Sequence, residues 1–373
     1  MQQLASAIAD GTAVSVTIGA NTWKTGTSGS GVEFTNYDTL GQCAVSYTIR
    51  PFISNGNWGA SAGSSCGAPT QTMTITFSNP TPTILQANTL ANGILYGEYV
   101  FMVAGSPSSG AVWDTIQKFN IASNTMSVVT YSGNLIERYG QASVLYGSFI
   151  YTIGGQAGSP SWTVHSDVVV FDILASSIST VTVVSGTFTA RMLHTATLSS
   201  ASIYVIGGYG NANNYLSDVS VFNIATSTWS TLTTTGSFTA RRQHSATLYG
   251  NLIYVIGGYN GGDLNEVWTF NIVTNAWTLV TYNGIFTARN SHSASLYNGV
   301  IYVIGGTSTI NNIQSFTIAT NTWTTLNSAS PTIAAHTAVV YNNFIFTLGG
   351  YPNDRFIYMY PLIAGNHITI LSY

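Results

Sequence analysis

From about residue 83 onward the chain repeats one pattern of apolar and polar positions. Short apolar runs, each carrying an aromatic, end on a pair of small residues: YVFMVAG (99–105), FIYTIGG (149–155), SIYVIGG (202–208), LIYVIGG (252–258), VIYVIGG (300–306) and FIFTLGG (344–350). Five to seven apolar residues closed by glycine are too short for a helix and predict a buried strand. After a loop of variable length, an eight-residue frame runs from an aromatic to a bulky residue: Phe119–Met126, Phe171–Ile178, Phe222–Trp229, Phe270–Trp277, Phe316–Trp323 and Tyr360–His367. The two signals recur six times, with the small pairs 44 to 53 residues apart. Self-similarity at such a period is the mark of a repeat architecture in which each unit is one small sheet.

Residues 1 to 82 carry a different pattern. Period-two alternation predicts strands at Thr12–Ile18, Ala44–Ile53 and Gln71–Phe77, with Gly- and Ser-rich breaks at Thr25–Gly31 and Gly59–Gly67. Asn79-Pro80-Thr81-Pro82 then stops the last strand, because proline cannot donate to a ladder. The expected arrangement is a small antiparallel, sandwich-like β domain over 1–82, followed by the repeat domain over 83–373. Residues 2–18 are nearly uncharged and able to extend, so they could pair inside their own domain or with a neighbouring copy.

The double glycine, the spaced aromatic and the tryptophan together resemble the kelch repeat, whose unit is a four-stranded blade of a β-propeller. The resemblance implies an all-β fold: a six-bladed kelch-type propeller behind the small β domain. Departures lie at the ends, with Ala104 in a glycine slot and Met126, Ile178 and His367 in the tryptophan slot. Within such a blade the glycines end the second strand where a Cβ would obstruct the neighbour. Tyr204, Tyr254 and Tyr302 and the tryptophans supply packing area, and Asn298-Gly299 forms a tight type I′ hairpin turn.

Composition changes the functional picture more than the structural one. Charged residues are 6% of the chain and the net charge is −3, while hydrophobic residues reach 45% and aromatics 12%. Such a chain folds, but it offers no basic field for nucleic acid. No apolar run is long enough to span a bilayer as a helix, and no signal peptide is visible at the N-terminus. A surface of Ser, Thr, Asn, Gly and Tyr can pack against copies of itself at little desolvation cost. No Asn-x-Ser/Thr sequon occurs, which keeps that surface bare. Cys43 and Cys66 are the only cysteines. A disulfide between them, closing a loop of about 22 residues, would contribute roughly 3 kcal/mol in an oxidising compartment; the alternative is two buried thiols.

The residues that look most reactive are the most repetitive. His194, His244, His292 and His336 share one repeat position, and Arg191, Arg241 and Arg289 precede the first three in Arg-x-x-His. Asp167, Asp218, Glu266 and Asn312 share another position and suit those arginines, or loop amides, as partners. A group present once per blade is arranged around a ring, so these read as scaffold and not as a metal centre. No Gly-x-Ser-x-Gly, P-loop or His-Glu-x-x-His motif is present. The resemblance extends to galactose oxidase, which would imply a copper-radical site with a tyrosine linked to a cysteine, but residues 83–373 contain no cysteine. It extends also to sialic acid mutarotases, whose charged axial groups find no counterpart here beyond the repeated ones. No cofactor and no metal is expected.

What differs between units is the loop after the second strand, on the same face as the loop entering the first strand. Trp113, Trp162, Tyr209, Tyr215, Tyr259 and Tyr351 lie on these loops and are the candidate contacts for a ligand or partner. The expected function is a non-enzymatic extracellular or cell-surface structural protein: a self-assembling filament, appendage or surface-layer subunit whose partners are copies of itself. The alternative is a lectin-like or adhesive propeller that binds glycans or another surface protein.

Overall fold

The computed structural model describes residues 90, 92–106, 112–123, 125–307, 310–326, 332–351, 360 and 362 in full, and 23–28, 31–37, 43–51, 58–63, 75–77, 357–361 and 370–372 as backbone strands. The eight-residue frame of each of the first five repeats is a hairpin, and its two bulky ends face each other across it. Phe171 pairs with Ile178, Phe222 with Trp229, Phe270 with Trp277 and Phe316 with Trp323. The seven-residue spacing is thus one cross-strand pair closed by a turn.

Each small pair ends the second strand. The first blade comprises Asn92–Tyr96, Tyr99–Gly105, Trp113–Asn120 and Thr125–Val128. The second is Ala142–Tyr146, Phe149–Ile153, Val168–Asp172 and Ser177–Thr180. The third is Thr195–Ser199, Ser202–Ile206, Val219–Asn223 and Thr228–Thr231. The fourth is Ser245–Tyr249, Leu252–Ile256, Val267–Asn271 and Ala276–Leu279. The fifth is Ser293–Tyr297, Val300–Ile304, Ile313–Thr317 and Thr322–Leu326. All are antiparallel meanders, and together they form a β-propeller.

Six four-stranded blades were expected; among the described residues five are present. The last repeat supplies Thr337–Tyr341, Phe344–Leu348, Ile357–Pro361 and Ile370–Ser372 to a five-stranded sheet, whose outer edge is Ile75–Phe77 running parallel to 370–372. The pairing Met359↔Ile370 sets a register two residues longer than the Tyr360–His367 frame. The strand expected to close the N-terminal domain therefore lies, at Ile75–Phe77, in the sheet of the last repeat. Strands Trp23–Ser28, Gly31–Tyr37, Cys43–Pro51 and Trp58–Gly63 form one antiparallel sheet. The expected breaks at Thr25–Gly31 and Gly59–Gly67 are thus largely strand. Small residues lower strand propensity, but pairing along the full length of a neighbouring strand overrides it. Residues 2–18 and Cys66, with the proposed disulfide, lie outside the described residues.

The core sits between sheets. Phe101 and Ile150 pack across the first and second blades, Ile153 and Phe222 across the second and third, and Ile206 and Phe270 across the third and fourth. Tyr254 and Phe316 join the fourth to the fifth, and Ile304 and Ile345 join the fifth to the last sheet. Val100 and Phe346 bring the last sheet back to the first.

At the start of each innermost strand one residue takes a left-handed conformation: Leu90, Gly140, Leu193, Gln243, Ser291 and Ala335, with φ between 55° and 64°. Each donates its backbone N–H to the carbonyl of its counterpart in the preceding unit. The bonds are Gly140 to Leu90 (3.2 Å), Leu193 to Gly140 (2.6 Å), Gln243 to Leu193 (2.9 Å), Ser291 to Gln243 (2.9 Å), Ala335 to Ser291 (2.8 Å) and Leu90 to Ala335 (2.9 Å). The six bonds close on themselves. Gly93 N–H also donates to Thr337 Oγ1 (2.7 Å) across the closure.

The second to fifth blades are each clamped by an arginine that no solvent reaches. Arg138 grips Asp167 with both terminal nitrogens (2.8 and 2.9 Å), and Arg191 grips Asp218 likewise (2.8 Å each). Arg241 meets Glu266 at 2.5 Å. Each also donates to the carbonyl of the first glycine of its own pair, Gly154, Gly207 or Gly257, at 3.0 Å. The second glycine of the pair donates to the clamp residue's carbonyl one unit on, as Gly208 does to Arg241 (2.8 Å). At φ 106° a Cβ on Gly208 would sit 2.8 Å from His194 Cβ, so only glycine fits. On the outer side, Phe188, Phe238 and Phe286 stack on Trp229, Trp277 and Trp323 at centroid distances of 4.2, 3.9 and 4.1 Å.

Arg289 lacks an acid. It donates to Asn312 Oδ1 (2.8 Å) and Gln314 Oε1 (2.5 Å), and burial pushes its pKa down to about 10. The guanidinium has already lost its water, so a carboxylate in reach adds attraction at little further cost. Asn312→Asp is therefore expected to stabilise the chain by about 1 kcal/mol in chemical denaturation at pH 7, a gain that vanishes near pH 3.

Candidate functional site

The histidines are placed by the left-handed residue that precedes each of them. His244 Nε2 meets Thr195 Oγ1 (3.0 Å), His292 Nε2 meets Ser245 Oγ (3.0 Å) and His336 Nε2 meets Ser293 Oγ (2.7 Å). Each ring reaches back to a hydroxyl of the preceding blade. In the second blade that slot is Ala142, which offers no hydroxyl to His194. Burial, aided by the neighbouring Arg241, pushes His244 down to about 3; burial alone does so for His336. His194 and His292 are lowered well below 6.5 by burial and then by Arg191 and Arg289. These imidazoles are neutral spacers between blades. Among the described residues no three His, Cys, Asp or Glu converge as a metal site would require.

The folded rings of His244 and His336 resist protonation down to about pH 3, whereas in the unfolded chain each takes up a proton near 6.5. Below that pH the unfolded state binds more protons, so stability falls as pH drops from 6.5 toward 3. The urea midpoint is expected to be flat above about pH 7.5 and to decline below 6.5. His244→Gln and His336→Gln should each make that decline shallower.

The variable face is built from two loops per blade, tied together by the residue after the clamp and the residue after the glycine pair. Arg242 N–H donates to the Tyr259 carbonyl (3.1 Å), and Tyr259 N–H returns a bond to Arg242 (2.9 Å). Met192 pairs with Tyr209, and Ala334 with Tyr351, in the same way. The scaffold therefore presents these side chains at fixed positions on one face.

At the junction of the third and fourth blades the face becomes a cluster. Tyr209 and Tyr215 lie with centroids 5.5 Å apart, and Tyr215 and Tyr259 lie 6.2 Å apart. The guanidinium carbon of Arg242 stands 4.7, 5.7 and 5.4 Å from the Tyr209, Tyr215 and Tyr259 rings. Arg242 has no ion pair among the described residues, and its Nε makes no hydrogen bond. The rings hold the cation through their π faces and leave its hydrogen-bonding capacity unspent. Beside it, Asp263 accepts from Asn290 Nδ2 and from Thr307 Oγ1 (2.9 Å), while Gln243 Nε2 donates to Ser291 Oγ (2.7 Å).

Three of the six aromatic candidates thus come together: Tyr209, Tyr215 and Tyr259. Trp162 and Tyr351 stand half exposed on other units. Trp113 begins the third strand of the first blade, and its carbonyl accepts from Arg138 N–H (3.3 Å). Arg242 was overlooked in the sequence because Arg241 beside it belongs to the repeat. Its signal was the variability of its slot, which reads Met192, Arg242, Asn290 and Ala334 in successive units. Arg138 was missed because Gln141 replaces the histidine that marks the other clamps.

A comparison with known families matches residues 140–350, more than half of the chain, to the KLHDC2/KLHL20/DRC7 Kelch-repeats domain.

Proposed function

Because the chain belongs to the kelch-repeat family over residues 140–350, a fold that serves as a protein-interaction scaffold, we propose that it is a non-enzymatic scaffold that binds a protein partner through its variable-loop face. The Arg242–tyrosine cluster carries this reading. Tyrosine and arginine are the side chains that concentrate binding energy at interfaces. Here three rigid rings pre-organise a guanidinium whose donors are unspent, so little side-chain entropy remains to be lost on docking.

The same geometry weighs against a lectin. A sugar would stack on the faces of Tyr209, Tyr215 and Tyr259, and Arg242 already lies within 6 Å of all three rings. A second reading, assembly with copies of itself at a cell surface or in a filament, is supported by the 6% charge and by the strand Ile75–Phe77 added to the edge of the last sheet. The extracellular placement belongs to that reading. It fails if the purified chain sediments as a monomer at about 100 µM, well above the dissociation constants of stable assemblies.

For the first reading, peptides selected from a display library on the wild-type chain are expected to lose about tenfold or more in affinity on Arg242→Ala or Tyr259→Ala. Trp162→Ala should leave them unchanged. Equal binding to wild type and both cluster variants would remove this face as the docking surface.

A further inference from the structure

The second blade contains a pocket of about 240 Å³ lined by Asn134, Ile136, Arg138, Asp167, Val169 and Ile178, with Ser179 and Thr180 at its edge. The other blades show what belongs there. In the fourth blade the position of Val169 is held by Trp268, which is 8% exposed and points into the corresponding space. Its indole donates Nε1–H to Glu266 Oε2 (2.9 Å) and meets Phe238 and Trp277 edge to face at 5.9 and 6.5 Å. In the fifth blade Gln314 takes this position. It accepts from Thr287 N–H (3.0 Å) and donates to the Ile285 carbonyl (2.8 Å) and Thr325 Oγ1 (3.0 Å).

In the third and fourth blades the acid of the clamp also receives a donor from this position. Glu266 Oε2 accepts from both Arg241 and Trp268, and Asp218 Oδ2 accepts from Arg191 and from Ser220 Oγ (2.9 Å). Val169 has nothing to donate. Asp167 keeps unused acceptor capacity and is 25% exposed. The surroundings have receded as well, because Leu135 and Ile178 replace the stacked phenylalanine and tryptophan of the later blades. Ile136, at the pocket's edge, is 47% exposed. The second blade therefore keeps the walls and the acceptor of an indole site without the indole.

We propose that this pocket receives a tryptophan side chain from a protein partner. The guest indole takes the place that Trp268 holds in the fourth blade, its N–H donating to Asp167 and its ring lying on Val169 and Ile178. This site is separate from the Arg242 cluster, at a different blade, and does not rest on it.

The test is a ¹⁹F NMR titration of the full chain with N-acetyl-5-fluorotryptophanamide. Binding at about 1 mM or tighter is expected for a single buried side chain. Val169→Trp, which supplies the missing indole, and Val169→Gln, which copies the fifth blade, should each weaken it at least tenfold. Arg242→Ala should not alter it. N-acetylphenylalaninamide, whose ring carries no N–H, should compete at least fivefold less well. Absence of saturable binding to wild type, or equal binding to the wild type and to whichever Val169 variant keeps the wild-type melting temperature, overturns the proposal. Tighter binding of free indole or free tryptophan than of the capped residue also overturns it, since the pocket would then serve a small molecule.

Discussion

The structure depends on the closed ring of six backbone hydrogen bonds through Leu90, Gly140, Leu193, Gln243, Ser291 and Ala335. A left-handed conformation costs a residue other than glycine about 1–2 kcal/mol, and five of the six are not glycine. The strain persists because each such residue satisfies an inner N–H that would otherwise be buried without a partner. It also reverses the chain between two side chains with different tasks. Two residues before it in the second to fifth blades, an arginine turns into its own blade. One residue after it in the third blade onward, a histidine faces the blade before, and in the last three units its ring reaches a Ser or Thr hydroxyl there. A single backbone choice, repeated, ties each blade to itself and to its neighbour.

That arrangement accounts for where the few charges go. Four of the nine cationic residues are clamps with no solvent exposure, and three of these take a carboxylate each. A buried guanidinium is tolerated only when its donors are met. The carbonyl of the first glycine and the arginine's own nearby carbonyl meet the remaining ones, so the double glycine and the arginine are one device. Arg242 breaks the pattern. It sits one residue from a clamp, takes no carboxylate, and is held by π faces, so its charge remains available at the surface.

Much of the repeat was legible because its residues perform identical tasks. The Phe–Trp frame is a cross-strand pair, the glycines have positive φ, and the shared slot of Asp167, Asp218 and Glu266 meets the arginines. The last sheet was less legible, since nothing local in Ile75–Phe77 announces a parallel partner almost 300 residues away at 370–372. Arg138 escaped for a related reason: its role depends on Asp167 and Gly154, while the histidine that marks its counterparts is absent. The Arg242 cluster was half legible. Loop tyrosines stand out by type, but their convergence arises from the junction of two blades, which no single segment encodes.

Both surface features follow from positions where a unit stops obeying the repeat. A repeat fixes a set of equivalent volumes, and in most blades the chain fills them itself: with Trp268 in the fourth, with Gln314 in the fifth, and with the stacked Phe188 and Trp229 in the third. In the second blade Val169 is smaller than Trp268 and Gln314, Leu135 and Ile178 are smaller than the phenylalanine and tryptophan of the third to fifth blades, and the three losses fall side by side. One small residue in a close-packed interior would be expected to let its neighbours collapse. Three around a fixed arginine–carboxylate pair leave walls that the clamp holds apart. The opposite departure occurs at Arg242, where a charged residue occupies a slot that in other units holds the uncharged Tyr139, Met192, Asn290 or Ala334. A propeller that spends its charge on internal clamps acquires recognition chemistry where a blade has lost bulk or gained a charge that the scaffold does not use.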